Sequence, residues 1–135
     1  MARWLLKTEP SDYSWADLIR DRRTVWDGVT SAPGLKNIRS VAAGDEAIVY
    51  HTGEERAAVG LARITSAAYA DPAAGDPRLV VFDLAPVRPL ARPVTLAQIK
   101  ADPAFAGFDL VRVPRLSVVP VSDAHWRRIV ALAGA

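Results

Sequence analysis

The sequence contains no cysteine and only two histidines, His51 and His125. Without cysteine the chain has no disulfide bond, no thiol nucleophile and no thiolate ligand for a metal. A zinc site would need several carboxylates besides the two imidazoles, which is an uncommon set of ligands. We therefore expect neither a metal ion nor another cofactor.

Lysine is scarce as well. It occurs only at Lys7, Lys36 and Lys100, so arginine supplies the other 14 of the 17 basic residues. Guanidinium groups fit phosphate well, but most surface arginines are simply solvated. The net charge is only +2, whereas non-specific nucleic-acid binders usually carry a larger excess or a concentrated basic stripe. Charge alone therefore identifies no partner.

No long apolar run is present. Lys7 and Glu9 interrupt the apolar residues near the first residue, so we expect no signal peptide. Nothing approaches the roughly 20 apolar residues of a membrane span. The length of 135 residues fits one domain, and no repeat or linker divides it. We expect a single domain over 1–135 in a cytoplasmic protein that does not contact membranes.

Short strands alternate with short helices in the sequence pattern. Apolar or β-branched runs predict strands at 4–6, 24–26, 47–51, 58–64 and 79–85. Capping boxes predict helices that begin after Ser14 and Thr95, and Pro33 and Ser122 mark two more helix starts. The pattern favours an α+β class with a small bent sheet or partial barrel.

Glycine and proline positions refine this prediction. Gly60 lies inside a predicted strand, which indicates a bulge or a close backbone approach. In strand 47–51, Ala47 and Val49 are expected on one face and Ile48 and Tyr50 on the other. The prolines at 86, 89 and 93 are expected to exclude regular structure up to Thr95.

Signatures of catalysis are few. No serine is tied by spacing to either histidine, and neither a P-loop nor a G-x-G-x-x-G motif occurs. One compact group, Lys7-Thr8-Glu9, follows the first strand. If the strand continued through it, Lys7 and Glu9 would share a face and Thr8 would point away.

A base-binding site is an alternative interpretation. Trp26 precedes an Asp27-Gly28 turn, where an indole could line a cleft. Tyr50 and His51 end a strand and enter a polar loop, and binding sites commonly lie in such loops. Aromatic surfaces with a few polar groups suit recognition of an extruded base.

Five strings in order resemble one known family. They are the segment from Trp4 to Pro10, Trp26-Asp27-Gly28-Val29, Gly44-Asp45 with Tyr50-His51-Thr52, Val59-Gly60, and the segment from Arg115 to Val121. Together they closely resemble the EVE domain family over nearly the whole chain. The resemblance implies a PUA-like fold, a small bent β-barrel of about five or six strands flanked by short helices. It also implies kinship with the YTH and SRA domains, which hold one extruded base in an aromatic pocket.

The resemblance implies a non-catalytic reader of a modified base, most simply a modified cytosine in DNA or a modified base in RNA. Its bacterial members often accompany restriction or defence proteins, which are therefore expected partners of a monomeric domain. Matched residue by residue, the resemblance assigns a base pocket to Lys7, Thr8, Glu9, Trp26, Asp27, Gly28, Val29, Tyr50, His51 and Thr52. It assigns phosphate contacts to Lys36, Arg39, Arg112, Arg115 and Ser117. In that mechanism the base stacks on Trp26, with Tyr50 as a second wall.

Two segments depart from the family pattern. Residues 30–37 stand where many members carry an aromatic residue and an arginine beside the pocket, both of which are missing here, and Val113-Pro114 alters the loop before Arg115. Two other functions stay open. The related ASCH group includes small amidohydrolases that act on acetylated cytidine, and Lys7, Thr8 and Glu9 supply similar residue types. A domain that binds a small molecule or a protein is the other alternative.

Overall fold

A mixed sheet of seven strands organises residues 1–134, the part of the chain that this computed structural model describes. The strands are β1 (Arg3–Thr8), β2 (Thr24–Trp26), β3 (Glu46–His51), β4 (Ala57–Ile64), β5 (Tyr69–Ala70), β6 (Val80–Thr95) and β7 (Val118–Pro120). Their order is β2-β6-β4-β3-β1-β7, and β5 pairs with β6. β1 and β3 are parallel, whereas the other paired strands of this sheet are antiparallel. The predicted α+β class and bent sheet are confirmed.

Short capped helices flank the sheet. They are α1 (Trp15–Asp21), α2 (Ala32–Ile38), α3 (Leu96–Ala101), α4 (Asp109–Arg112) and α5 (Asp123–Leu132), with a 3-10 turn at Pro103–Phe105. The predicted capping boxes of Ser14 with Asp17 and of Thr95 with Gln98 are both present. Each hydroxyl accepts a backbone N–H that the first turn would otherwise leave unpaired. The four-residue α4 was not among the predicted helices.

The sheet separates two apolar cores. Leu5, Ile48 and Tyr50 belong to the first, which the helices α3, α4 and α5 cover with residues such as Leu110 and Trp126. Alternate residues of the same strands enter the second core, which also receives side chains from α1, α2, β2 and β6; its members include Trp4, Leu6, Leu18, Trp26, Ile38, Val49 and Phe82. The predicted division of strand β3 between two faces is confirmed.

The prediction for the proline-rich segment is wrong. β6 runs without interruption through Pro86, Pro89 and Pro93. β2 and β5 pair only with residues 80–84, so beyond Leu84 the described strands pair with β6 on one side, through β4. The β4 pairing also shifts register twice along this stretch. Proline is tolerated in a strand at free edges and bulges, because no ladder hydrogen bond is lost there.

Gly60 meets both sequence expectations. The pairing of β4 with β6 shifts register between Ala58 and Gly60. A Cβ atom at Gly60 would lie 2.5 Å from ring carbons of Trp15. The first residue of α1 therefore packs directly on the backbone of β4, which fixes where α1 and the loop before it lie against the sheet.

We expect Gly60→Ala to lower the free energy of unfolding by about 1–3 kcal/mol, the usual cost of an overpacked site. Chemical denaturation followed by tryptophan fluorescence measures this change. In a Trp15→Ala background the added methyl group has room, so the penalty should disappear. An equal loss in both backgrounds would contradict the proposed contact.

Candidate functional site

A cleft of about 430 Å³ lies between the C-terminal end of β1 and strand β2. These strands are separated by β3, β4 and β6 in the sheet order, so it is the curl of the sheet that brings them together. The cleft is lined by Lys7, Thr8, Asp12, Tyr13, Thr24, Val25, Trp26, Asp27, Gly28, Val29 and Ser117. Six of the ten residues expected in the base pocket therefore meet in one place. Ser117, which was expected to contact a phosphate group, lines the same cleft.

Lys7 is the cationic group of the cleft. Its Nζ donates a hydrogen bond to the carbonyl oxygen of Pro114 at 2.7 Å, and its backbone N–H donates to the carbonyl of Ser117 at 3.0 Å. Burial lowers the pKa of the Lys7 ammonium, because the charged form loses water. The lysine is therefore held at the wall that Ser117 also forms, with its remaining N–H donors available to a ligand.

Thr8 and Tyr13 form a second wall. The Thr8 hydroxyl donates to the carbonyl oxygen of Tyr13 at 2.6 Å, and the Tyr13 hydroxyl donates to the Asp21 carboxylate at 2.9 Å. Burial also raises the pKa of Tyr13. The Tyr13 ring meets the Trp26 ring edge-on, with centroids 6.5 Å apart and an 84° angle between the planes. Both ends of Tyr13 are fixed, so the ring is a preorganised, partly exposed surface.

Trp26 does not offer the open stacking face expected from the sequence. It is only 6% exposed and packs in the second core. A buried indole of this kind closes the cleft at one edge, and the accessible aromatic wall is Tyr13. Trp26→Ala would leave a large cavity in the core, so this substitution would measure stability rather than base recognition.

The segment after β2 brings acceptors and apolar surface to the same cleft. Asp27 is exposed, as is Asp12 on the opposite wall. Gly28 has a φ of +80°, which turns the chain in a way that favours glycine. Val25 and Val29 add aliphatic surface beside the carboxylates. The cleft therefore combines acceptor-only groups with a lysine donor and apolar side chains.

Glu9 and Thr52 lie outside the cleft and bond to each other. Oε1 of Glu9 accepts from the backbone and hydroxyl of Ser11, and Oε2 accepts from the Thr52 hydroxyl at 3.3 Å. The Ser11 backbone hydrogen bond is the main reason that the pKa of Glu9 is lowered. The expected face-sharing of Lys7 and Glu9 fails because β1 ends at Thr8, so the alternation of a strand does not extend to residue 9.

Tyr50 is also absent from the cleft. Its ring is 3% exposed and belongs to the first core, across the sheet from Trp26. Burial raises the pKa of its hydroxyl. Because the sheet separates the core that holds Tyr50 from the core that holds Trp26, Tyr50 could not join Trp26 as a second wall.

His51 positions part of the cleft without lining it. Its Nε2 accepts the backbone N–H of Trp15 at 2.9 Å, and Nδ1 lies 2.6 Å from a carboxylate oxygen of Glu55. An accepting Nε2 carries no proton, so Nδ1 carries it and donates to Glu55. His51 does not line the cleft, but it fixes the start of α1 and hence the loop that carries Tyr13.

The candidate phosphate-binding residues are spread over the surface. Lys36 is exposed on α2, and Arg39 donates to the carbonyl oxygen of Arg78 beside a separate depression. Arg112 is paired with Asp109 at 2.6 Å, away from the cleft. Arg115 follows Pro114, the residue whose carbonyl binds Lys7, and within residues 1–134 its guanidinium has no hydrogen bond or ion pair. Of these candidates, Ser117 lines the cleft, and Arg115 is adjacent in sequence to the residue whose carbonyl binds Lys7.

Four cleft residues were missed by the sequence interpretation, namely Asp12, Tyr13, Thr24 and Val25. A usable signal existed for Tyr13. The capping box at Ser14 fixes where α1 begins, so Tyr13 must lie in the short connection between the end of β1 and that helix. Thr24 and Val25 directly precede Trp26 in β2, but nothing local indicates that both line a cleft.

A model of the EVE domain matches residues 2–132. The chain belongs to the EVE domain family. No curated protein sequence matches it, but solved structures do.

Among them is Rpa0253 from Rhodopseudomonas palustris, with 35% identity, a TM-score of 0.93 and coverage of 99% of this chain and 94% of that one. Human THYN1, solved in complex with DNA that contains 5-methylcytosine, is 25% identical with a TM-score of 0.91, covering 100% and 99% of the two chains. An ASCH protein from Zymomonas mobilis shares the fold at 14% identity, with a TM-score of 0.60 and coverage of 96% and 97%.

None of the helices within 1–134 has the length and apolar character needed to cross a membrane. In the same part of the chain, no group of three or more potential ligands among histidine and carboxylate side chains is placed to hold a metal ion.

We expect His51→Ala to lower the free energy of unfolding by about 1–3 kcal/mol, because it leaves the Trp15 N–H without its acceptor. His51→Gln should lower the free energy of unfolding clearly less, since the glutamine amide oxygen can still accept the Trp15 N–H near the position of Nε2. Urea denaturation of the two variants measures the difference. Equal losses in alanine and glutamine variants would contradict the proposed role of the acceptor.

Proposed function

We propose that this EVE domain is a nucleic-acid-binding module that holds a modified base, most simply a modified cytosine, in the cleft. A base reaches such a cleft only after it leaves the stack of its strand. The observation that carries the proposal is the combination of groups in the cleft: the Asp27 carboxylate, the Lys7 ammonium, the fixed Tyr13 ring and the aliphatic Val25 and Val29.

These groups complement the edge of cytosine. Its exocyclic amino group is a donor, and an ionised Asp27 can only accept. Its ring nitrogen and carbonyl oxygen are acceptors, for which the Lys7 ammonium and the Ser117 hydroxyl are donors. A methyl group against valine adds on the order of 1 kcal/mol, which favours a modified cytosine over a plain one by roughly fivefold. The human relative solved with 5-methylcytosine DNA supports the same ligand class.

The position of Glu9 disfavours the amidohydrolase alternative. That mechanism would use a lysine, a hydroxyl group and a glutamate together, but the Glu9 carboxylate is bonded to Ser11 and Thr52 outside the cleft. The Lys7 ammonium is bound to the Pro114 carbonyl. The ASCH protein shares only the fold with this chain, at 14% sequence identity. Monomeric action in the cytoplasm and partnership with restriction or defence proteins stay predictions.

The proposal is tested by titration with short oligonucleotides followed by tryptophan fluorescence. The panel contains DNA and RNA with plain, methylated, hydroxymethylated or acetylated cytosine and with methylated adenine. We expect one modified cytosine to bind best. Binding to no member would support the small-molecule or protein alternative, and loss of the acetyl group during titration would support the hydrolase.

Asp27→Asn should weaken binding of the preferred oligonucleotide by about tenfold or more, because hydrogen bonds to charged groups contribute about 1.5–3 kcal/mol. Glu54→Gln is the matched control, since it removes the same charge from an exposed loop that does not line the cleft. Equal affinities of the Asp27 variant and the control would contradict the role of the carboxylate.

Arg115→Ala should weaken binding to every oligonucleotide and reduce the dependence of log affinity on log salt by about 0.7–0.9. The reason is that the unpaired guanidinium next to Pro114 is placed to neutralise one phosphate. Arg127→Ala on α5, which packs on the first core, is a control with the same loss of charge. A salt dependence equal to that of the control would remove Arg115 from the interface.

A further inference from the structure

A shallow depression adjoins the cleft along strand β2, and we call it the outer groove. It is lined by Arg23, Thr24, Val25, Asp27, Tyr69 and Asp83. Thr24, Val25 and Asp27 also line the cleft. The two depressions are therefore continuous across β2, and a ligand that extends beyond the cleft on this side would enter the outer groove.

Strand geometry explains why Val25 lies where the two depressions meet. Val25 alternates with the buried Trp26, so it points away from the second core and is 44% exposed. Its partner across the β2–β6 ladder is Asp83. Val25 therefore presents apolar surface to both depressions.

Tyr69 supplies a fixed aromatic surface in this groove. Its hydroxyl donates to an Asp83 carboxylate oxygen at 2.6 Å, and that hydrogen bond is the main reason that its pKa is raised to about 12. The ring is only partly buried. Tethered in this way, it loses little conformational freedom when a ligand packs against it.

Arg23 supplies the positive charge. It is exposed, and within the described residues its guanidinium forms no hydrogen bond or ion pair. Asp27 and Asp83 are negative, so a phosphate would avoid them and approach the groove at Arg23. The carboxylates can only accept hydrogen bonds, which suits a base with an exocyclic amino group better than thymine or uracil.

We propose that the outer groove binds the nucleotide adjacent to the base in the cleft, with its base stacked on Tyr69 and its phosphate on Arg23. This inference rests on the proposed function, because the groove acquires this ligand only if the cleft holds the neighbouring base. It adds a second nucleotide to the binding site and a preference for adenine, cytosine or guanine at that position.

The test compares two probes by titration, 5-methyl-2′-deoxycytidine as a nucleoside and a single-stranded trinucleotide that carries the same base at its centre between two adenines. The domain without substitutions should bind the trinucleotide more tightly than the nucleoside. Tyr69→Ala should weaken trinucleotide binding by about fivefold to a hundredfold, the usual range for one base–aromatic stack, and leave nucleoside binding unchanged. Tyr69→Phe keeps the ring and should retain most of the affinity.

Arg23→Ala should lower the salt dependence of trinucleotide binding by about 0.7, the value for one phosphate of a single strand, with no effect on the nucleoside. Replacing the flanking adenines by thymines should weaken binding of the trinucleotide to the domain without substitutions.

If the nucleoside binds but Tyr69→Ala and Arg23→Ala bind the trinucleotide normally, the groove assignment is wrong and the proposed function stands. Equal weakening of both probes by Tyr69→Ala would indicate a structural role and overturn the assignment. Failure of the domain without substitutions to bind either probe would overturn the groove assignment, and failure to bind any oligonucleotide of the larger panel would overturn the proposed function as well.

Discussion

The shape of the cleft depends on one buried imidazole with both ring nitrogens bonded. His51 joins the end of β3 to the first residue of α1 through the Trp15 N–H, and its other nitrogen donates to Glu55. The Thr8 hydroxyl holds the carbonyl of Tyr13 at the end of β1. The loop between β1 and α1 is therefore attached to two adjacent strands, and Tyr13 is placed against Trp26 before any ligand arrives. Such preorganisation reduces the ordering cost of binding.

The end of β1 also separates the groups that could have formed a catalytic set. Lys7 and Thr8 are the last strand residues and line the cleft, whereas the chain turns at Glu9 and its carboxylate bonds to Ser11 and Thr52. What remains in the cleft is a set of donors, acceptors and apolar surfaces, in which the Lys7 ammonium is bound to the Pro114 carbonyl and the Asp12 and Asp27 carboxylates are exposed.

Features set by local sequence could be predicted, and features set by tertiary packing could not. Capping boxes and the alternation along β3 depend on residues within a few positions, and both were anticipated. The glycine at position 60 also indicated a close approach, but its partner Trp15 is distant in sequence and could not be named. The strand through Pro86, Pro89 and Pro93 could not be predicted, because proline is tolerated there for a tertiary reason: within residues 1–134, β6 pairs only with β4 beyond Leu84 and its other edge is free. Tyr13 rather than Tyr50 forms a wall of the cleft because the two rings lie on different faces of the curled sheet, which is again a tertiary feature. The near-complete burial of Trp26 likewise depends on side chains from α1, α2 and β6.

Backbone amide NMR spectra recorded with and without a 5-methylcytosine oligonucleotide test the central claim most directly, because they locate the ligand without a substitution. The account predicts that the largest shifts fall on Thr8, Tyr13, Asp27, Gly28 and Val29. The first core and residues 71–79 should change little. Shifts confined to the depression at Arg39 and Arg78, or to the helices α3–α5, with an unperturbed cleft, would contradict it.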